Sequence, residues 1–137
     1  MGIRGKQTAV LAAATGIVAV LLHTGPAHAA VAVRDARCST TGAQGWMVAE
    51  IYSGYVTGHT NVKDTLGDGH HARARFVVAT TAGHYYGDWV KATGGKGDWQ
   101  DAYDTVAYNG RVTGIAIQAA RFEKNSMFND CVVYDYN

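Results

Sequence analysis

Neither sign of charge dominates this sequence, and that absence excludes some partners. Twelve lysines and arginines stand against eleven aspartates and glutamates, or ten against eleven once Arg4 and Lys6 near the amino terminus are set aside. Domains that bind nucleic acid usually carry a clear basic excess. We therefore expect no nucleic-acid partner, and no electrostatic attraction to an anionic membrane.

Long hydrophobic runs are also lacking. Residues 8–22 form an apolar segment of about fifteen residues, which is shorter than the ~20 that a membrane-spanning helix needs. The segment follows Arg4 and Lys6 and precedes the small-x-small pattern Ala27-His28-Ala29. These three regions are typical of a secretory signal peptide. We predict a signal peptide over residues 1–29 and a secreted, extracellular, monomeric domain over residues 30–137, with an uncleaved membrane anchor as the alternative.

Cysteine is scarce, because only Cys38 and Cys131 are present. The two isolated residues lack the CxxC spacing of a zinc site, and we expect no cofactor. Export would place them in an oxidising compartment, where an even count favours a disulfide. A bridge closing a loop of this length would stabilise the domain by up to ~4.5 kcal/mol in the chain-entropy model. Two free thiols or an intermolecular pair remain the alternatives.

Proline is almost absent and glycine is abundant, with one proline and seventeen glycines. No long helical stripe appears, whereas short segments of β-forming residues alternate with turn signals. In residues 70–80, for example, Phe76 and Val78 share one face and Arg73 and Arg75 share the other, which we interpret as a solvated face. We predict an all-β, single-domain antiparallel β-sandwich of seven or eight short strands. The clearest strand segments are residues 46–55, 70–80, 84–90, 102–108, 111–122 and 130–136.

One dipeptide predicts a specific connection between two of these segments. Asn109-Gly110 separates residues 102–108 from residues 111–122. Both residues tolerate positive φ, and this dipeptide is the strongest short signal for a tight β-hairpin. We therefore expect these two strands to be joined as a hairpin.

The segment 64–76 concentrates charged residues and histidines. Asp64 and Asp68 are typical turn residues, since their side chains bond nearby backbone N–H groups. We interpret residues 64–69 as a turn that leads into a strand. The alternatives are a calcium site using Asp64 and Asp68, or a transition-metal site using His70 or His71.

Residue patterns typical of enzymes are mostly missing. The chain has no GxSxG motif, no phosphate-binding loop spacing, and no convincing pair of carboxylates for glycoside hydrolysis. A small ribonuclease needs a general base, a general acid and a cation. Glu50, a histidine (His70, or else His59, His71 or His84) and an arginine (Arg73, or else Arg75) supply these residue types, so a small secreted hydrolase is one alternative function.

Aromatic residues are plentiful. Rings can stack on the apolar faces of sugars or peptides while they keep a polar edge. Trp99 lies in a polar, glycine-rich segment where a core residue is not expected. We predict Trp99, Tyr103 and Tyr85 as binding residues, and we expect Trp46 and Trp89 to fill the core.

Residues 61–76, together with the signal and the terminal cysteines, resemble a loose group of small secreted actinobacterial proteins. That group shows a D-T-x-x-D-G motif running into a strand, followed by tryptophans, glycine-rich turns and a late cysteine. The similarity covers roughly residues 48–134, and it implies a β-rich exported protein without an assigned activity. Such chains often carry another cysteine shortly before the last one. Residues 118–130 contain none here, which leaves the partner of Cys131 open.

These observations favour an exported, non-catalytic protein that binds at the cell envelope, to a polysaccharide or another extracellular polymer, or to a protein. A small hydrolase such as a ribonuclease is the first alternative. The second is a secreted inhibitor or toxin that acts through a surface loop, such as residues 94–100.

Overall fold

The computed structural model describes residues 30–136, and these form nine antiparallel strands in two packed sheets. The predicted β-sandwich is confirmed. The predicted signal peptide over residues 1–29 lies outside the described residues. The strands are β1 (Ala32–Thr40), β2 (Ala43–Tyr52), β3 (Tyr55–Asp64), β4 (His71–Thr80), β5 (Gly83–Tyr86), β6 (Val90–Ala92), β7 (Trp99–Ala107), β8 (Val112–Glu123) and β9 (Ser126–Tyr136).

Each sheet contributes one apolar face to the core. The first sheet has the order β1-β2-β3-β7, and the second has the order β5-β4-β8-β9, with β6 also paired to β4. Phe76, Met47 and Ile115 are among the largest fully buried side chains. The sheets approach closely at Gly58, where a Cβ atom would lie 2.5 Å from the Phe76 ring. A larger residue at Gly58 would therefore displace the most voluminous side chain of the core.

The strand count exceeds the expected seven or eight because two predicted segments are each interrupted. Residues 46–55 contain the end of β2, a turn, and the first residue of β3. Gly54 in that turn has a φ of 85°, a conformation that costs glycine little. Residues 84–90 divide similarly into β5 and the start of β6.

The prediction of a hairpin at Asn109-Gly110 is wrong. β7 pairs with β3, and β8 pairs with β4 and β9, so the dipeptide joins strands of different sheets. Gly110 does adopt a positive φ of 83°, as its residue type suggests. Burial decides the pairing, because β8 is covered on both faces and needs a central position, whereas β7 is exposed along most of its length.

The predicted disulfide between Cys38 and Cys131 is confirmed, with a Cα–Cα distance of 5.9 Å. It joins β1, at the edge of the first sheet, to β9, at the edge of the second. Beside it, the Asn129 amide donates a 2.7 Å hydrogen bond to the Thr40 hydroxyl. These contacts close one side of the sandwich, and a disulfide is compatible with an extracellular protein.

Within residues 30–136 there is no helix long and apolar enough to cross a membrane.

Candidate functional site

The outward face of the first sheet carries side-chain rings on three neighbouring strands. On β7, Trp99 and Tyr103 lie four residues apart, so the two-residue period of a strand places both on the same face. Trp99 lies opposite Lys63 of β3, and Tyr103 lies opposite His59. Trp46 projects from β2 beside them. We call the surface formed by Trp46, His59, Trp99 and Tyr103 the aromatic face.

The four rings pack as two pairs. The centroids of Trp46 and Trp99 are 4.1 Å apart with planes inclined by 77°, and those of His59 and Tyr103 are 4.1 Å apart with nearly parallel planes. The pairing holds the rings in place but leaves them accessible, because Trp99 is 50% exposed and Tyr103 is 73% exposed. A ligand would therefore meet ordered rings that are open to solvent.

The core prediction for Trp46 is wrong, and the reason lies in β2 itself. Met47, Ala49 and Ile51 are buried, so strand alternation points Trp46 away from the core. The ring is half-buried and lies against Trp99. His59 was not singled out as a contact residue, although it shares an outward position on the neighbouring strand β3.

Polar groups border the rings. His59 Nε2 lies 2.8 Å from Asp101 Oδ2, and this contact fixes the imidazole against Tyr103. The Tyr52 hydroxyl donates a 2.6 Å hydrogen bond to Glu50 Oε2, and that bond raises the pKa of Tyr52. The face thus offers carboxylates and an imidazole beside the rings. Such groups can exchange hydrogen bonds with the hydroxyl groups of a ligand.

Two shallow depressions lie on this surface. One has a volume of about 310 Å³, and its lining residues are Val48, Glu50, Thr57, His59 and Tyr103. The other has a volume of about 360 Å³, and its lining residues are Arg37, Gln44, Trp46, Lys63 and Trp99. Each depression combines aromatic and polar side chains, so both can contact an amphipathic ligand.

Trp99 begins β7 instead of lying within the preceding loop, and an aspartate orders that loop. The Asp98 carboxylate accepts a 2.8 Å hydrogen bond from the Gly94 backbone N–H and a 3.1 Å bond from the Gln100 side chain. These bonds lower the pKa of Asp98, with the bond from Gly94 as the first cause. The loop is thereby fixed next to the aromatic face.

The outward face of the second sheet also carries rings, and arginines stack on them. The Arg75 guanidinium carbon lies 4.2 Å from the Tyr86 ring centroid and 4.3 Å from that of Trp89. Trp89 also meets Phe122 edge-on, with 5.3 Å between centroids. We call the set Arg73, Arg75, Tyr86, Trp89 and Phe122 the arginine layer. The core prediction for Trp89 is wrong, because its ring packs on this outer layer.

Arg73 is the more buried of the two arginines in the arginine layer, at 8% exposed, so the predicted solvated face is wrong at this position. Its guanidinium carbon lies 4.2 Å from the Phe122 ring centroid, and its Nε donates a 2.8 Å hydrogen bond to His71 Nε2. Its Nη2 donates to the carbonyl of Lys124, a residue in the β8–β9 turn with a φ of 53°. Arg73 therefore holds the β8–β9 turn through this hydrogen bond. Burial lowers the pKa of the Arg73 guanidinium.

Tyr85 lies apart from the other two predicted binding residues. It belongs to β5 of the second sheet, and its ring packs against the hydrophobic core. Trp99 and Tyr103, in contrast, lie together on the first sheet. The structure brings together two of the three predicted rings.

The three predicted catalytic residues are not brought together. Glu50 projects from the outward face of β2, whereas Arg73 lies in the second sheet and contributes to the arginine layer. His70 precedes β4, and its ring nitrogens lie 3.4 Å from Asp68 Oδ2 and 3.8 Å from Glu123 Oε2. The histidine nearest Glu50 on the aromatic face is His59, since both line one depression.

The turn predicted over residues 64–69 is confirmed for residues 65–69, whereas Asp64 is the last residue of β3. The side-chain oxygens of Asp64 and Asp68 accept 3.0 and 3.1 Å hydrogen bonds from the backbone N–H groups of Leu66 and His70. Asp68 also forms an ion pair with Arg121. Both carboxylates proposed as calcium ligands thus accept backbone hydrogen bonds that stabilise the turn. Among residues 30–136, no three acidic, histidine or cysteine side chains cluster as a metal site.

No protein-family model matches this chain, and no curated protein or solved structure is significantly similar to it.

Proposed function

We propose that this protein is exported and binds an extracellular polysaccharide through the aromatic face, without catalysing a reaction. The observation that carries this proposal is the exposure of Trp99 and Tyr103 on one side of β7, next to the half-buried Trp46 and His59. Exposed rings of this kind, rimmed by polar groups, mark interaction surfaces.

The chemistry of the aromatic face suits a sugar chain. The apolar faces of sugar rings stack on Trp and Tyr, and the polar groups that line the two depressions can bond to hydroxyl groups. Because β7 is the edge strand of the first sheet, the aromatic face extends to the rim of that sheet. Export is supported by the predicted signal peptide and by the disulfide, which persists in oxidising compartments.

A sedimentation assay tests the proposal directly. Protein purified from culture medium is mixed with insoluble cell walls, chitin or cellulose, and the bound fraction is measured in the pellet. We expect Trp99→Ala and Tyr103→Ala each to weaken binding about tenfold, the effect of losing roughly one stacking interaction. The matched control is Tyr136→Ala, because Tyr136 is 69% exposed but lies on β9 of the second sheet.

Two results of this assay would contradict the proposal. Equal loss in the Tyr103→Ala and Tyr136→Ala variants would show that ring removal acts generally and not through the aromatic face. If the wild-type protein stays in the supernatant with every polymer, polysaccharide binding is excluded for those polymers and protein ligands become the next test.

A second candidate function, a small secreted hydrolase, is favoured by one observation. His59 shares a depression with Glu50 and contacts Asp101 at 2.8 Å, which combines an imidazole with carboxylates able to transfer protons. Arg73 and Arg75, the cations predicted for a ribonuclease site, lie on the other sheet. Arg37 and Lys63 border the adjoining depression instead. If the protein hydrolyses RNA, His59→Gln abolishes the activity without lowering the melting temperature. If RNA stays intact with the wild-type protein, this candidate is rejected.

A further inference from the structure

A third depression in the described part of the chain has a larger volume than the two on the aromatic face. It has a volume of about 570 Å³, within the range of small-molecule sites. It sits at one end of the sandwich, where the β2–β3 turn and the β7–β8 crossover meet the start of β1. Its lining residues are Val31, Ala32, Arg34, Ile51, Tyr52, Ser53, Tyr108, Gly110, Arg111 and Val112. We call it the end pocket.

The walls of the end pocket are apolar and fixed in place. Ile51 and Val112 are core residues of the two opposing sheets. Tyr108 is held at both ends, since its hydroxyl donates a 2.7 Å hydrogen bond to the Tyr52 carbonyl and its backbone N–H donates to the Gly54 carbonyl at 3.0 Å. A ligand would therefore enter a preformed apolar pocket, which lowers the entropic cost of binding.

Two arginines give the end pocket a positive rim. Arg34 lies on the core-facing side of β1, and its Nε is 3.9 Å from Asp135 Oδ2, so one positive charge there is largely balanced. Arg111 follows the crossover glycine, and its side chain is exposed. Within residues 30–136 no carboxylate lies within ion-pair distance of Arg111. The rim therefore retains one positive charge above an apolar interior.

We propose that the end pocket binds a single-chain anionic amphiphile, with the alkyl chain against Ile51 and Val112 and the carboxylate at Arg111. An apolar cavity recognises the chain by removing its surface from water. A guanidinium recognises a carboxylate through paired hydrogen bonds. This site is separate from the aromatic face, and its ligand differs from the polymer proposed there.

Isothermal titration of decanoate into protein purified from culture medium tests this inference. We expect saturable binding of one decanoate per chain, and weaker binding of both decanol and acetate, which each lack one half of the recognised chemistry. Arg111→Gln should weaken decanoate binding about tenfold, since it removes a charge-assisted hydrogen bond at an exposed position. The control Lys91→Gln removes an exposed positive charge on β6 and should bind decanoate like the wild type.

A second variant tests the cavity itself. Ala32→Phe adds a ring inside the end pocket and should abolish decanoate binding, provided that its melting temperature shows a folded protein. If the Ala32→Phe variant does not fold, decanoate binding by the Arg111→Gln variant tests the proposal instead. Absence of saturable binding below the aggregation concentration of decanoate would overturn the proposal. So would acetate binding as tightly as decanoate, or an Arg111→Gln variant that binds decanoate like the wild type.

Discussion

The two outer faces of the sandwich have similar residue types but different uses for their rings. On the second sheet, arginine guanidinium groups stack about 4 Å from the ring centroids of Tyr86, Trp89 and Phe122, although Tyr86 stays 51% exposed. On the first sheet, Trp99 and Tyr103 pair with other rings and stay 50% and 73% exposed. An exposed ring on a sheet surface is thus a stronger candidate binding residue when none of the protein's own cations already stacks on it.

This difference predicts opposite costs of substitution. The arginine layer holds folded parts of the chain together, so its substitutions should lower the free energy of unfolding. The exposed rings of the aromatic face contact solvent, so their substitutions should cost little stability and change binding.

The largest effect is expected for Arg73→Ala. The substitution removes a buried guanidinium that stacks on Phe122 and bonds to the β8–β9 turn, which should lower the free energy of unfolding by about 2–4 kcal/mol. Urea unfolding measures the loss. Arg37→Ala is the control, because Arg37 is an exposed arginine on the first sheet, and it should stay within about 0.5 kcal/mol of the wild type. Equal losses in the two variants would contradict a structural arginine layer.

A smaller effect is expected for Arg75→Lys, which keeps the charge but loses the planar group. The lysine ammonium cannot stack between Tyr86 and Trp89, and it cannot reproduce the 2.9 Å hydrogen bond from Arg75 Nε to the Gln118 side chain. We expect the free energy of unfolding to fall by about 1 kcal/mol. An unchanged urea midpoint would show that charge, and not ring stacking, is what matters at this position.

The pH dependence of stability should also report on His71 of β4. Burial, followed by the charge of Arg73, lowers the pKa of His71 below its usual 6.5. Because the folded state then binds the proton less readily than the unfolded state, this contribution to stability is full above pH 6.5 and is lost as the pH falls below it. His71→Gln should reduce that dependence. Parallel pH profiles for wild type and His71→Gln would contradict this assignment.

The local pattern of the sequence predicts the fold better than it predicts the pairing of strands. Alternation in residues 70–80 and the two cysteines are local or pairwise signals, and both led to correct structure. The partners of residues 102–108 and 111–122 depend on contacts with β3, β4 and β9, which no turn signal specifies. One available signal was the near-continuous apolar run Ile115-Ala116-Ile117, which is typical of a central strand covered on both faces.

The same distinction explains the site residues. Strand parity places Trp99 and Tyr103 on one face, so half of the aromatic face follows from spacing. Parity also places Arg73 and Arg75 on the face of β4 that points away from Phe76. It cannot reveal that these two arginines stack on Phe122 and Trp89, because those rings belong to other segments of the chain. Ring hydrophobicity suggested the core for Trp46 and Trp89, although both lie on outer surfaces.

The smallest effect on stability is expected for Tyr103→Ala. Tyr103 is an exposed residue of an edge strand, and its ring contacts the solvent-accessible His59, so the free energy of unfolding should change by less than about 0.5 kcal/mol. Urea unfolding beside the sedimentation assay measures both quantities on the same variant. Lost binding with unchanged stability would identify Tyr103 as a contact residue. A drop in stability as large as that of Arg73→Ala would instead make the aromatic face structural, and the contrast between the two faces would disappear.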